Sequence, residues 1–407
     1  MITLAFFSKI GSLLLFVIII CFLIAWHELG HLLAAKKCNV YCYEYSIGFG
    51  PVLYKNKKRE THFCIRAIPL GGFVKMAGEE GLEDGEVVKD NDGKDIPSNR
   101  ILANQKLSKR ALVMAAGGLM NILLALVCFY FYVSFNKPFL DSDKTGFIQP
   151  NTSNEVVITN DYPLAELGME SGDKIIEIKT RLVEDNNNPE FKTYNTKNYD
   201  KITKALNSCV PEKENQVQEM IITYQDASNN FETHTINVSR KIEKKLDENG
   251  KEIKELSKIG LGQNYTFYEY NALTGLYGAW HFMGYYTVEI CRSFGRLFTG
   301  DFSGLSGLVG IYTTVDSVAT NTQVSFGTTF LRMIYIAGAI SFSLGFFNLI
   351  PFPALDGGRL VFVGIEAIFK KKVKPTVEAY IHTVGFALLF ILMIVINIRD
   401  IFHLFGG

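Results

Sequence analysis

Four long stretches of this chain carry almost no charge, and the polar residues gather in blocks between them. The first runs from Ile10 to about Ala35, the second from Ala111 to Asn136, the third from Met333 to Leu355, and the fourth from about Thr383 to Ile398. Each approaches the roughly 20 apolar residues that a helix needs to cross a bilayer core. The pattern predicts a multi-pass α-helical membrane protein with about four transmembrane helices. The first block is longer than a signal-peptide core. It ends in Trp26-His27-Glu28 and Lys36-Lys37 rather than at a small-residue cleavage site, so it reads as a retained helix.

Between these blocks the periodicity changes. Thr61 to Met76 reads as extended chain punctuated by Pro69 and Gly71-Gly72. It is either a β segment that dips into the membrane under cover of protein or a cytoplasmic hairpin. Gly81 to Asn99 is polar and is expected to be a mobile loop. From Lys137 to about Asn271 the chain reads as one β-rich domain. Its expected strands are Val156 to Thr159, Lys174 to Lys179, Val217 to Tyr224 and Phe231 to Val238, the last two joined by the hairpin signal Asp226-Ala227-Ser228-Asn229-Asn230. Tyr199 to Leu206 suits a short helix. Leu182 to Asn198 and Lys241 to Lys258 are charged or Asn-rich and read as surface insertions. Asn271 to Arg296 has the pattern of an amphipathic helix, lying along the outer membrane face or bracing the third span. Phe302 to Ala319 is Gly-rich and too irregular for a fifth span. The expected partition is 1–35, 36–110, 111–136, 137–270, 271–331, 332–358, 359–374 and 375–407.

Composition agrees with this picture. Of 407 residues, 48% are hydrophobic and only 20% charged, and the net charge of zero offers no general argument for nucleic-acid binding. Bases crowd both ends of the segment from Lys36 to Arg110, and Lys370, Lys371, Lys372 and Lys374 follow the third block. The positive-inside rule makes both segments cytoplasmic, so both termini are expected outside the cell membrane. The seven cysteines show no C-x-x-C pair and no framework spacing. Cys38 and Cys42 alone share a spacing that suits metal ligation, without further Cys or His beside them. Asp90-Asn91-Asp92-Gly93 and Asp141-Ser142-Asp143 lack the Gly and Glu positions of a calcium loop.

The chemistry lies in His27-Glu28-Leu29-Gly30-His31, an H-E-x-x-H sequence inside the first block. On a helix, positions i and i+4 share a face about 6 Å apart along the axis, so both imidazoles reach one ion. Glu28 is rotated partly off that face, where a carboxylate acts on water beside the metal. Each ionisable side chain in a bilayer costs about 2.5–3.5 kcal/mol, so three on one helix need a partner or a task. A catalytic zinc site keeps three protein ligands. The candidate third is Asp356, in Asn348-Leu349-Ile350-Pro351-Phe352-Pro353-Ala354-Leu355-Asp356-Gly357-Gly358. At about 1.5 Å per residue, His27 lies roughly 27 Å along from Lys9 and Asn348 roughly 24 Å from Arg332, at similar depth. Pro351 and Pro353 break the helix there, and Gly357 and Gly358 are expected to let backbone approach the metal or a substrate strand. Asp356 as a helix cap is the alternative. Glu44 and His62 are rival ligands without the matching depth.

At these residues the chain resembles the site-2 protease family of intramembrane zinc metalloproteases, in the bacterial branch with an extracytoplasmic PDZ domain. The resemblance covers His27 to His31, Ser46-Ile47-Gly48-Phe49-Gly50, Ile68 to Met76 and Asn348 to Gly358, in this order. Tyr162 to Ile176 is similar to the groove loop and following strand of the family's PDZ domains. The resemblance implies that His27, His31 and Asp356 bind Zn2+ and that Glu28 is the general base. It also implies that Gly71-Gly72 belongs to a membrane-dipping β segment and that Asn348 holds the substrate backbone. Implied substrates are single-pass membrane proteins such as anti-sigma factors, or remnant signal peptides. Gly118, Ser343 and Leu308 depart from the family pattern. Two rival classes are an inactive relic acting as a PDZ-containing membrane scaffold and a metal transporter. The relic predicts a degraded ligand set. The transporter predicts further acids or histidines on other spans, and Ala111 to Asn136 has none.

Overall fold

A computed structural model describes residues 2–79, 87–137, 146–150, 153–184, 189–228, 231–246, 252–297, 299–300, 304–321 and 324–406. Two compact units result: Met1–Gly146 joined with Tyr270–Gly407, and Phe147–Glu269.

The first unit begins with helix α1 (Ile2–Lys37), followed by strands β1 (Cys42–Asn56) and β2 (His62–Met76) and helix α2 (Leu107–Phe135). β1 and β2 are each bent, and their register shifts repeatedly. Residues 44–47 of β1 pair with 72–75 of β2 on one side and with 62–65 on the other, while 52–56 pair with 63–66. Two strands thus occupy four ladder positions, and 72–75 form one outer edge. Positive φ at Gly48 (89°), Gly50 (81°) and Gly71 (141°) supplies the bends that residues with a Cβ resist. The hairpin packs on α1 through a buried cluster of Ala35, Val40, Cys42, Val74 and Met76. The expected mobile loop from Gly81 to Asn99 is ordered where it is described: Asp90 Oδ1 accepts the Asp92 and Lys94 N–H groups at 2.9 Å. Residues 80–86 lie outside the described residues.

The second unit contains β3 (Gly146–Pro150), β4 (Val156–Ile158), α3 (Pro163–Glu166), β5 (Lys174–Glu184), β6 (Lys192–Asn195) and α4 (Tyr199–Leu206), then β7 (Gln216–Gln225), β8 (Thr233–Leu246), β9 (Glu252–Leu256), β10 (Leu261–Gln263) and β11 (Tyr265–Glu269). An antiparallel sheet in the order β6-β5-β7-β8-β9 carries the core, with Ile175, Ile178, Met220 and Ile222 buried against Ile202 and Ala205 of α4. β4 pairs with β10, and β3 with β11. The two expected surface insertions are in part strands. Residues 192–195 form β6, and β8 continues to Leu246 and pairs with β9, with Ile242 opposite Leu256. Their charges reflect strands near a sheet edge, where solvent accepts them.

The first unit resumes with α5 (Ala272–Leu297), α6 (Leu308–Ala319), α7 (Phe326–Leu349), α8 (Asp356–Phe369) and α9 (Pro375–Gly406). Among the described residues, four helical stretches are long and apolar enough to cross a membrane: Lys9–Lys37, Leu107–Phe135, Phe326–Leu349 and Pro375–Phe402. The third starts and stops earlier than its hydropathy suggests, because Pro351 and Pro353 cannot continue a helix that ends at Leu349. The fourth is longer than its uncharged stretch. α5 braces α2 and α7 through aromatic rings: Phe129 stacks on Tyr286 at 5.6 Å, and Tyr335 lies 5.7 Å from Phe129.

α6 has 12 residues, too few to span, and packs on α1, α7 and α9. Its first turn is capped from another helix. Asp400 Oδ2 accepts the Gly307 and Gly310 N–H groups at 2.7 and 3.1 Å, and Asn397 Oδ1 accepts that of Val309 at 3.1 Å. Arg399 pairs with Asp400 Oδ1 at 2.6 Å and also donates to the Leu305 carbonyl. Farther along, Ser12 of α1 donates to Asp316 of α6 at 2.5 Å. Asp400→Ala removes the acceptor for two amides and the partner of a guanidinium. The expected loss is about 1.5–3 kcal/mol of stability, from hydrogen bonds to a charged group. Thermal unfolding in detergent checks this, and an unchanged midpoint contradicts it.

Candidate active site

His27 and His31 lie one turn apart on the face of α1 that packs against α2, each 7% exposed. Their Nε2 atoms are 3.2 Å apart. Asp356, the first residue of α8, places Oδ2 3.2 Å from both of them. Among the described residues this is a group of three metal-ligating side chains whose donor atoms lie within 4.8 Å of one another. Asp356 Oδ2 is buried and, apart from these two imidazoles, has no polar partner among the described residues.

The triangle suits zinc. Four donors placed tetrahedrally at about 2.0–2.1 Å from an ion stand roughly 3.3 Å apart, close to the spacing found here. The space in front of the imidazoles exists because α2 presents a glycine. A Cβ at Gly117 would come 2.6 Å from His27 Nε2 and closer still to His31 Nε2. Gly30 of α1 permits the matching approach, since a Cβ there would meet the Ala116 carbonyl carbon at 2.9 Å.

Both imidazoles are held on their far side. His31 Nδ1 lies 2.8 Å from the Val113 carbonyl, which accepts its proton and leaves the Nε2 lone pair free. His27 Nδ1 lies 3.2 Å from the amide nitrogen of Asn121, whose Oδ1 is buried without a partner among the described residues. A half-turn of that amide brings Oδ1 to the Nδ1 proton and equally leaves His27 Nε2 free. Asn121 and Gly117 were not singled out from the sequence. An uncompensated amide in the middle of an apolar span was the available signal for Asn121, whereas nothing in the sequence pointed to Gly117.

Glu28 faces the β hairpin. A Cβ on Gly72 would stand 3.2 Å from Glu28 Cγ and 2.9 Å from the Ser46 carbonyl oxygen, so a glycine lets β2 lie against the carboxylate. The hairpin is clipped to the same side of α1 by two further contacts. The Cys21 thiol donates to the Pro69 carbonyl at 2.6 Å, and the Tyr45 hydroxyl to the Ala25 carbonyl at 2.7 Å. Gly71 lies directly under the Phe49 ring.

The other expectations separate cleanly. Asn348, on the last turn of α7, donates its amide to the Leu344 carbonyl at 3.0 Å and is not in the three-residue group. Gly357 and Gly358 face neither metal nor an open groove. Cβ atoms there would strike the Leu349, Ile350 and Phe352 backbone, so these glycines close the first turn of α8 onto the proline turn. The rival ligand Glu44 is taken by Arg66, whose Nη2 lies 2.6 Å away. Burial pushes the Glu44 carboxyl up, but the hydrogen bond and charge of Arg66 outweigh it and hold the group below the ordinary carboxylate range. His62, Cys38 and Cys42 join no ligand cluster among the described residues.

Comparison with known proteins covers nearly the whole chain. The model of peptidase family M50 matches residues 15–392. Across 97% of this chain and 99% of the relative, 30% of residues are identical to the Regulator of sigma-W protease RasP of Bacillus subtilis (strain 168). The Zinc metalloprotease RasP of Oceanobacillus iheyensis is 30% identical over 96% of this chain and 98% of its own length. That of Geobacillus kaustophilus is 29% identical over 97% and 98%.

Gly117→Ala tests the pocket. Alanine is the better helix former by about 1 kcal/mol, so α2 itself should not suffer. The added methyl group occupies the space in front of both Nε2 atoms. Zinc content of the purified protein should fall from one per chain to near zero with unchanged helix content. Full zinc occupancy in this variant contradicts the geometry.

Proposed function

The chain belongs to peptidase family M50, and on that premise we propose that it hydrolyses peptide bonds within membrane-spanning segments, with Glu28 as general base beside a zinc ion held by His27, His31 and Asp356. The observation that carries this reading is the triangle of two Nε2 atoms and one carboxylate oxygen at 3.2 Å spacing, with both imidazoles on a helix long and apolar enough to cross a membrane. The protein is a zinc metalloendopeptidase of the membrane. When bound, zinc supplies Lewis acidity toward water and toward the scissile carbonyl.

The residues of the chain then divide the work. The Val113 carbonyl and the Asn121 amide orient the imidazoles. The Glu28 carboxylate takes the proton of the attacking water and delivers it to the departing amine. A substrate helix hides its carbonyls in i to i−4 hydrogen bonds and must unwind before attack, in a medium where unpaired backbone groups cost several kcal/mol each. The outer edge at 72–75 compensates that loss, because a substrate strand added there regains main-chain hydrogen bonds next to Glu28. Gly72 leaves the part of that edge beside Glu28 without a side chain, and the Asn348 Oδ1 accepts a substrate N–H. A complete ligand set with its base argues against an inactive relic.

The basic segments 36–110 and 370–374 support a cytoplasmic face for the site, with both termini and the second unit on the other side. We assign that second unit as PDZ-like. A cavity of about 270 Å³ lined by Thr159, Tyr162, Arg240, Ile259 and Gly260 is the place for a peptide end. Substrates in this reading are single-pass membrane proteins, such as anti-sigma factors, or remnant signal peptides, admitted after another protease has trimmed them.

Glu28→Gln keeps a polar side chain of the same size and removes the base. The variant should retain one zinc per chain while cleavage of a co-reconstituted single-pass substrate falls by about 10²–10⁴-fold. Cleavage at the unsubstituted rate by the zinc-loaded variant contradicts the assignment of the base.

A further inference from the structure

The turn that delivers Asp356 is held from α9. Ala354, two residues earlier, has φ of 79°, a conformation that a residue with a Cβ rarely adopts unless its surroundings impose it. Its N–H donates to His382 Nδ1 at 2.8 Å. One turn farther along α9, Pro353 is seated against Gly385, where a Cβ would lie 2.7 Å from the Pro353 carbonyl oxygen. The His382 ring is fixed in turn by Phe362 of α8, with centroids 5.6 Å apart. Because Nδ1 accepts, the imidazole proton resides on Nε2, which is buried and makes no hydrogen bond among the described residues. Apart from the two imidazoles it faces, Asp356 Oδ2 has no polar partner among the described residues, so its aim at His27 and His31 depends on the backbone of this turn.

We propose that His382 is a positioning residue for the metal centre: by accepting the Ala354 N–H it fixes the left-handed turn that points Asp356 at the two imidazoles. The proposal rests on the reading of Asp356 as a zinc ligand and extends it to a helix that contributes no ligand. His382 was not singled out in the sequence, where it is one histidine at the start of an apolar block.

The test is the zinc affinity of the full-length protein in detergent, measured by chelator competition. Loss of a partner outside the ligand shell typically costs 10–100-fold in affinity, so His382→Ala should weaken zinc binding by about tenfold or more. Asparagine places Oδ1 where Nδ1 stands, whereas glutamine carries its acceptor out toward Nε2. His382→Asn should therefore bind zinc like the unsubstituted protein, and His382→Gln should be as weak as His382→Ala. In an Asp356→Ala background, His382→Ala should bring no further loss, because its effect passes through Asp356. Unchanged affinity in His382→Ala overturns the proposal. So does rescue by glutamine instead of asparagine, and so does a loss that persists undiminished without Asp356, which marks a general packing role. Should Asp356→Ala alone leave affinity unchanged, the ligand assignment falls and the proposal with it.

Discussion

Three ionisable side chains within one bilayer-length helix set the terms for the rest of the structure. An isolated charge or imidazole in hydrocarbon is costly, so α1 is acceptable only where other elements meet His27, Glu28 and His31. Each answer comes from a different part of the chain. α2 supplies the Val113 carbonyl and the Asn121 amide, the start of α8 supplies Asp356, and β2 lies against Glu28.

Glycine makes these meetings close enough. Helix packing in a membrane relies on small residues that let backbones approach. Here the same property opens the metal pocket. Gly117 clears the space before the imidazoles, Gly118 and Gly345 bring α2 against α7, and Gly72 brings β2 against Glu28. A Cβ at Gly345 would lie 3.0 Å from the Ile122 side chain and closer to the Gly118 carbonyl oxygen. The polar anchors follow the same economy. Ser341 donates to the Asn121 carbonyl at 2.8 Å, so the residue that faces His27 is also tied to α7.

The sequence was most legible where the signal is local. Apolar length marked the four helices of membrane-spanning length and hydropathy, and i, i+4 spacing put His27 and His31 on one face. Asp356 was reached from far along the chain because depth in a membrane can be counted at a fixed rise per residue. What stayed hidden involves contacts between distant residues. The folding back of β1 and β2 into four ladder positions depends on glycine φ angles that composition does not reveal. Gly117 and His382 matter through what they touch, and neither touches a sequence neighbour. Proline chemistry did mark the end of α7, but hydropathy alone ran past it to Leu355. Charge misled in the second unit, where strands near a sheet edge were read as insertions.

The central claim is that two imidazoles of α1 and one carboxylate of α8 share a single zinc ion, with no further protein ligand. Zinc K-edge X-ray absorption of the purified full-length protein tests it most directly. The account predicts one zinc per chain, with two imidazole nitrogens and otherwise oxygen at about 2.0–2.2 Å. A sulfur scatterer near 2.3 Å, or a third imidazole, would contradict it.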